Sequence, residues 1–192
     1  ASSMQLVFMT SYQMLVKRAK LKQKENVLIY GATSGIGSAA IQIAKDIGST
    51  VIATVGSKEK IKYAEEMGAD YVLLHGGDDN QFIKKIKQIT KNKGCNVIFE
   101  HIGKVTWNQS LKILSRGGRL VTCGSTTGAL VNIDLRHLFM KQQSILGSTM
   151  ADLETFGKVM NKINEKKYKP FVDKIFSFKD VKESHKYIEN RC

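Results

Sequence analysis

Short apolar runs alternate along this chain with longer stretches of mixed polarity. The runs at residues 26–30, 50–55, 71–74, 96–99 and 119–123 are continuous rather than alternating, as expected of strands buried on both faces. Between them, apolar residues recur at helical spacing. Ile36, Ala40, Ile43, Ala44 and Ile47 share one face of a predicted helix over 35–47, which Gly48 ends. Further helices are expected over 58–67, 79–92 and 105–114. An earlier one, at 10–20, turns Met14, Leu15 and Ala19 inward. Strand, helix and parallel strand at regular intervals predict an α/β doubly wound parallel sheet of Rossmann type.

Beyond Gly124 the rhythm loosens. A short helix at 134–141, a sixth strand at 144–146 and a helix at 152–167 are expected. Weak alternation at 171–178 suggests another strand, and 178–189 a last helix. Residues 1–150 are accordingly read as one α/β domain, and 151–192 as a helix with a partial return.

The first strand runs directly into Gly31-Ala32-Thr33-Ser34-Gly35-Ile36-Gly37. Gly31 permits a tight turn at the strand end, and Gly35 and Gly37 let backbone approach ligand and sheet without a Cβ. The free N–H groups of the helix start then face the pyrophosphate of a dinucleotide. At the end of the second strand, an acid accepting bonds from the adenosine ribose would indicate NAD. Here Thr54-Val55-Gly56-Ser57-Lys58 holds no acid before Glu59. Ser57 with Lys58 or Lys60 suits a 2′-phosphate, so NADP is favoured, with NAD as the other option.

Composition narrows the partners. The net charge of +13 comes from 25 Lys and 5 Arg against 17 acids. These lysines are scattered over predicted helix surfaces and the few arginines are dispersed, which argues for a solvated face and against nucleic acid. No apolar stretch approaches the roughly 18 residues of a membrane span. Three separated cysteines, Cys95, Cys123 and Cys192, form neither a disulfide framework nor a zinc knuckle, and the start lacks a signal-like core, so a cytoplasmic protein is expected.

The motifs together resemble the medium-chain dehydrogenase/reductase family, in its zinc-type alcohol dehydrogenase and quinone reductase branches. Thr10-Ser11-Tyr12-Gln13-Met14-Leu15 is similar to a T-A-W/Y-x-M-L helix, and 31–37 to G-A-S-G-G-V-G with Ser34 replacing a glycine. Phe99-Glu100-His101-Ile102-Gly103 is similar to F-D-H-V-G, 117–124 to G-G-R-L-V-x-x-G, and Ile145-Leu146-Gly147-Ser148 to I-L-G-S.

The resemblance implies roles. Gly31, Ser34, Gly35, Ile36 and Gly37 would hold the pyrophosphate, while Ser57, Lys60 and His75 would surround the adenosine phosphate. His101, Ile102 and Gly103 would lie near the nicotinamide end, Gly124, Ser125 and Thr126 at the next strand end, and Ser148 would follow on the sixth strand. It also implies hydride exchange between NAD(P)(H) and a small alcohol, aldehyde or ketone. The alternatives are a zinc-free NADPH quinone or enone reductase, or a non-catalytic nucleotide-binding module. No catalytic or metal-ligating residue is assigned. Any zinc is expected in a separate catalytic domain of a longer parent, from which these residues are an excised cofactor half with little turnover alone. Homo-oligomers are expected through the sixth-strand edge.

Overall fold

The computed structural model describes residues 3–76 and 78–190. Its strands are β1 (Asn26–Ile29), β2 (Thr50–Val55), β3 (Tyr71–Leu74), β4 (Cys95–Glu100), β5 (Leu114–Thr122) and β6 (Ser144–Gly147). All pair in parallel, in the order β3-β2-β1-β4-β5-β6. The helices α1 (Gln5–Tyr12), α2 (Gly35–Ile47), α3 (Ile61–Glu66), α4 (Asp79–Ile89), α5 (Trp107–Ile113), α6 (Leu135–Met140), α7 (Leu153–Asn164) and α8 (Val181–Glu189) complete the chain.

Continuous apolar strands follow from burial on both faces. Val27, Ile29, Val51, Ala53, Val97 and Phe99 pack with α1, α2 and α7, and their neighbours Leu28, Tyr30, Ile52 and Ile98 pack with α4 and α5. Each fully buried Ile, Leu or Phe contributes roughly 1.5–3 kcal/mol. No described helix is long and apolar enough to cross a membrane. The thiol of Cys95 is enclosed and burial pushes it up to about 12, whereas Cys123 is half-buried. Cys192 lies outside the described residues.

Three departures from the sequence reading have local causes. The first helix starts at Gln5 and continues as a π-helix over Gln13–Arg18, with Ala19 N–H bonded to the Met14 carbonyl at 2.8 Å. This wider winding keeps Met14, Leu15 and Ala19 buried, as expected. Strand β5 begins at Leu114, before the Arg116-Gly117-Gly118 turn. That turn is a bulge inside the strand, for Cys95 faces Leu114 but Val97 faces Arg119. Residues 171–177 form no strand. Phe171, Val172 and Ile175 are exposed, and no described strand pairs with the segment.

Helix α7 joins the sheet's core through Val159, and the Tyr168 ring stacks on Phe8 at 5.5 Å. Beside them Asp46 accepts bonds from Lys162 Nζ (2.8 Å) and Tyr168 Oη (3.0 Å). Burial alone would raise the Asp46 carboxyl, but these donors outweigh it and hold the pKa below its ordinary value. A depressed folded-state pKa contributes stability at neutral pH that is lost as pH falls through that value. Asp46→Asn should therefore narrow the gap in melting temperature between neutral and acid pH. Parallel acid limbs for the two proteins in thermal melts would refute this.

At the open edge of the sheet, Ser148 N–H is turned inward to the Thr122 carbonyl (2.9 Å), so the groups of Gly147 face outward. Arg18 Nε donates to the Gly147 carbonyl at 2.8 Å.

Candidate functional site

Because β1 lies between β2 and β4, the connections leaving β1 and β4 diverge to opposite sides, and a crevice opens beyond their carboxyl ends. The glycine turn lines one wall. Gly31 has φ +62°, its N–H bonds Thr54 Oγ1 (3.2 Å), and its carbonyl accepts from Ser34 N–H (2.9 Å). Ser34, a departure from the family pattern, serves as the N-cap of α2, its hydroxyl oxygen accepting from Gly37 N–H at 3.1 Å. A Cβ on Gly37 would sit 2.1 Å from the Gly31 carbonyl oxygen. The turn therefore closes only around a bare Cα. Gly35 and Ile36 follow at the helix start, and the Ile36 carbonyl is anchored by the Ser11 hydroxyl (2.8 Å).

The opposite wall is the loop after β4. The His101 ring leans across the crevice floor onto Gly31, with Nε2 3.0 Å from the Tyr30 carbonyl oxygen. That contact requires the proton on Nε2. The Phe99 ring supports His101 edge-on at 6.2 Å. The loop after β5 is laced to this wall. Thr126 bonds the His101 carbonyl through N–H (3.3 Å) and Oγ1 (2.7 Å), and Thr127 bonds the Ile102 carbonyl through both groups at 2.7 Å. Gly103, at φ +91°, is overlain so closely that a Cβ would meet the Gly128 carbonyl at 2.7 Å and Ser125 Cα at 3.0 Å. Gly124 passes the His101 backbone. The structure thus gathers His101, Ile102, Gly103, Gly124, Ser125 and Thr126 at one place, across from the glycine turn.

Ser57, Lys60 and His75 stand apart at the ends of β2 and β3. His75 lies over Gly56, 3.7 Å from where a Cβ would be, and partial burial lowers its pKa. The Ser57 hydroxyl meets the Glu59 carboxylate and holds that carboxyl below its ordinary value. Ser148 lies beyond β6, beside a cavity of about 540 Å³ lined by Gln13, Arg18, Gly147 and Thr149. Its Oγ and Gln13 Oε1 are enclosed without a hydrogen-bond partner among the described residues. A cavity of about 630 Å³ lies away from the crevice, between Gln42, Tyr63 and Phe171.

Two residues escaped the sequence reading of the site. Gln13 was noted only as part of a helix motif. Glu100 was noted only as the neighbour of His101, yet it is wholly enclosed behind the crevice. Its signal was an acid ending an apolar strand, followed by Thr106 and Ser110 four residues apart, on one face of the next helix.

A parallel sheet of this order, with a capped glycine turn beside its switch point, is a Rossmann-type dinucleotide-binding fold. The family described as zinc-binding dehydrogenase matches residues 35–165, and the chain belongs to that family, within the medium-chain dehydrogenase/reductases. It is 31% identical over 193 residues to a crotonyl-CoA reductase of Streptomyces avermitilis, covering 92% of this chain and 43% of the relative. It is 32% identical over 187 residues to a quinone oxidoreductase of Pongo abelii, covering 94% and 56%. Among solved structures, an NAD-dependent alcohol dehydrogenase superposes with TM-score 0.92 at 33% identity, covering 99% of this chain and 55% of that one. The 2-octenoyl-CoA carboxylase reductase CinF, in complex with NADP and 2-octenoyl-CoA, superposes with TM-score 0.91 at 29% identity, covering 98% and 46%. The chain thus spans about half the length of the relatives it matches.

Proposed function

We propose that this chain is the nicotinamide-cofactor-binding part of an oxidoreductase that uses NADP(H) to reduce a double bond conjugated to a carbonyl, as in an enone, quinone or enoyl thioester. The observation that carries the cofactor reading is the Gly31–Gly37 contact, a cradle that a single Cβ would fill. Gly31, Ser34, Gly35, Ile36 and Gly37 hold the pyrophosphate at the positive end of α2. His101, Ile102, Gly103, Gly124, Ser125, Thr126 and Ser148 hold the nicotinamide end. When bound, the cofactor supplies the hydride, and the chain's residues orient it and keep water from the crevice. Similarity to proteins named crotonyl-CoA reductase and quinone oxidoreductase supports the conjugated-substrate reading.

An alcohol and carbonyl substrate is the second reading, favoured by the family description and the similar alcohol dehydrogenase structure. Among the described residues, no group of three His, Cys, Asp or Glu could hold a metal ion. Copies of the chain are proposed to associate along the open edge of β6.

The preference for NADP rests on Ser57 and Lys60 beyond the end of β2, with His75 over Gly56. Titration with NADPH and NADH should show tighter NADPH binding. A charge-assisted hydrogen bond contributes about 1.5–3 kcal/mol, so Ser57→Ala with Lys60→Ala should weaken NADPH about tenfold or more. NADH should be held within about twofold, since neither side chain then has a phosphate to meet. A preference for NADH in the unsubstituted chain would overturn the NADP reading.

A further inference from the structure

Glu100 ends β4 on the face continued from Ile98 and is fully enclosed. Buried carboxylates are ordinarily paired with a cation. Among the described residues, no ion pair includes this one. Its partners are four neutral donors. Oε1 accepts from Ile102 N–H (2.6 Å) and Gly103 N–H (3.1 Å). Oε2 accepts from the hydroxyls of Thr106 (2.8 Å) and Ser110 (3.2 Å). Ser110 Oγ in turn lies 3.1 Å from Tyr30 Oη, and burial keeps that phenol protonated by raising its pKa.

The consequence falls on the loop rather than on the carboxylate. The N–H groups of Ile102 and Gly103 are turned inward to Glu100, and the carbonyls of His101 and Ile102 are taken by Thr126 and Thr127. The peptide groups of the crevice wall are therefore satisfied by the chain's own side chains, which fix the wall's shape without calling on a ligand. A wall ordered beforehand loses less conformational freedom when it is occupied.

We infer that Glu100 is the positioning residue of the cofactor crevice, holding the 101–103 loop in its binding shape through the Ile102 and Gly103 amides. This rests on the dinucleotide reading of the site. The role depends on the reach of the side chain, not on its charge. Glutamine has the same length: its carbonyl oxygen can accept from both amides while its NH₂ donates to the hydroxyl oxygens. Thr106 can then turn its proton to the Gly103 carbonyl, already 3.2 Å away. Aspartate, which the F-D-H-V-G pattern carries at this position, keeps the carboxylate but is one methylene shorter, and in this chain it would leave the two amides that close on Glu100 without an acceptor.

The test pairs NADPH titration with amide hydrogen exchange on this chain and its Glu100→Gln, Glu100→Asp and Glu100→Ala variants. Glu100→Gln should bind NADPH within about threefold of the unsubstituted chain, whereas Glu100→Asp and Glu100→Ala should weaken it about tenfold or more. In the ligand-free proteins, the Ile102 and Gly103 amides should lose protection in the Asp and Ala variants, while Leu28 and Ile98 in the central strands keep theirs. A variant that merely loosened the fold would lower protection in the strands as well, and that result overturns the inference. So does full affinity in Glu100→Asp with loss in Glu100→Gln, which would make charge the operative property. If the unsubstituted chain binds neither NADPH nor NADH, the dinucleotide reading fails. The exchange measurement then still decides whether Glu100 holds the loop.

Discussion

Gly37→Ala should lower the unfolding free energy by about 3 kcal/mol, the upper range for overpacking a closed site, and weaken dinucleotide binding by more than tenfold. The added methyl would sit 2.1 Å from the Gly31 carbonyl oxygen and 3.0 Å from Ser34 Oγ. A flexible side chain could swing away from such a contact, but a carbonyl in the turn cannot. Its displacement breaks the bond from Ser34 N–H to Gly31 and pulls Ser34 from its cap on Gly37 N–H. Gly157 is the control. It lies inside α7 with nothing within 4 Å of a Cβ, so Gly157→Ala should gain about 0.5–1 kcal/mol from helix propensity. Urea unfolding of the two variants gives both signs. Equal stability of Gly37→Ala and the unsubstituted chain would mean that the turn does not need its bare Cα.

Phe99→Ala should cost about 3–5 kcal/mol, the range for removing a buried aromatic ring. Phe99 is completely enclosed at the middle of the sheet, in register with Ile29 of β1 and Val121 of β5. The loss reaches the crevice as well, because the same ring supports His101. With that support gone, the imidazole is free to leave the Tyr30 carbonyl. Phe99→Leu refills much of the volume and should cost about 1 kcal/mol. Chemical denaturation separates the two, and a Phe99→Ala cost below that of Phe99→Leu would refute the packing argument. Affinity for NADPH should follow the same order.

Burial explains what could be read in advance. Strands β1, β2 and β4 are covered on both faces, which imposes apolar side chains at successive positions, a pattern visible without coordinates. The glycine turn was equally legible, since positive φ and close backbone approach restrict residue choice at Gly31 and Gly37. The start of β5 was hidden because it depends on a distant backbone approach: a Cβ on Gly94 would meet the Ile113 carbonyl at 2.5 Å. Residues 171–178 carry strand-like residues, but a strand needs a neighbour, and residue type does not specify one. The wall of the crevice was half visible. His101, Ile102 and Gly103 stood out by resemblance, whereas the work of Glu100 is done through main-chain amides that any sequence would supply. Two of the bonds that join the loops come from Thr127, and they depend on loop geometry that residue type does not specify.

The bond from Arg18 to Gly147 bears on how far this sheet can grow. A sheet edge is a template, and each unspent carbonyl or amide on it invites another chain, native or not. By occupying the last outward acceptor of β6, the guanidinium shortens an edge that is only four residues long. An incoming strand must settle for the remaining groups or first evict a cation. The same π-helix that packs Met14 and Leu15 into the core thus narrows which strands this side can accept, a second copy of the chain included.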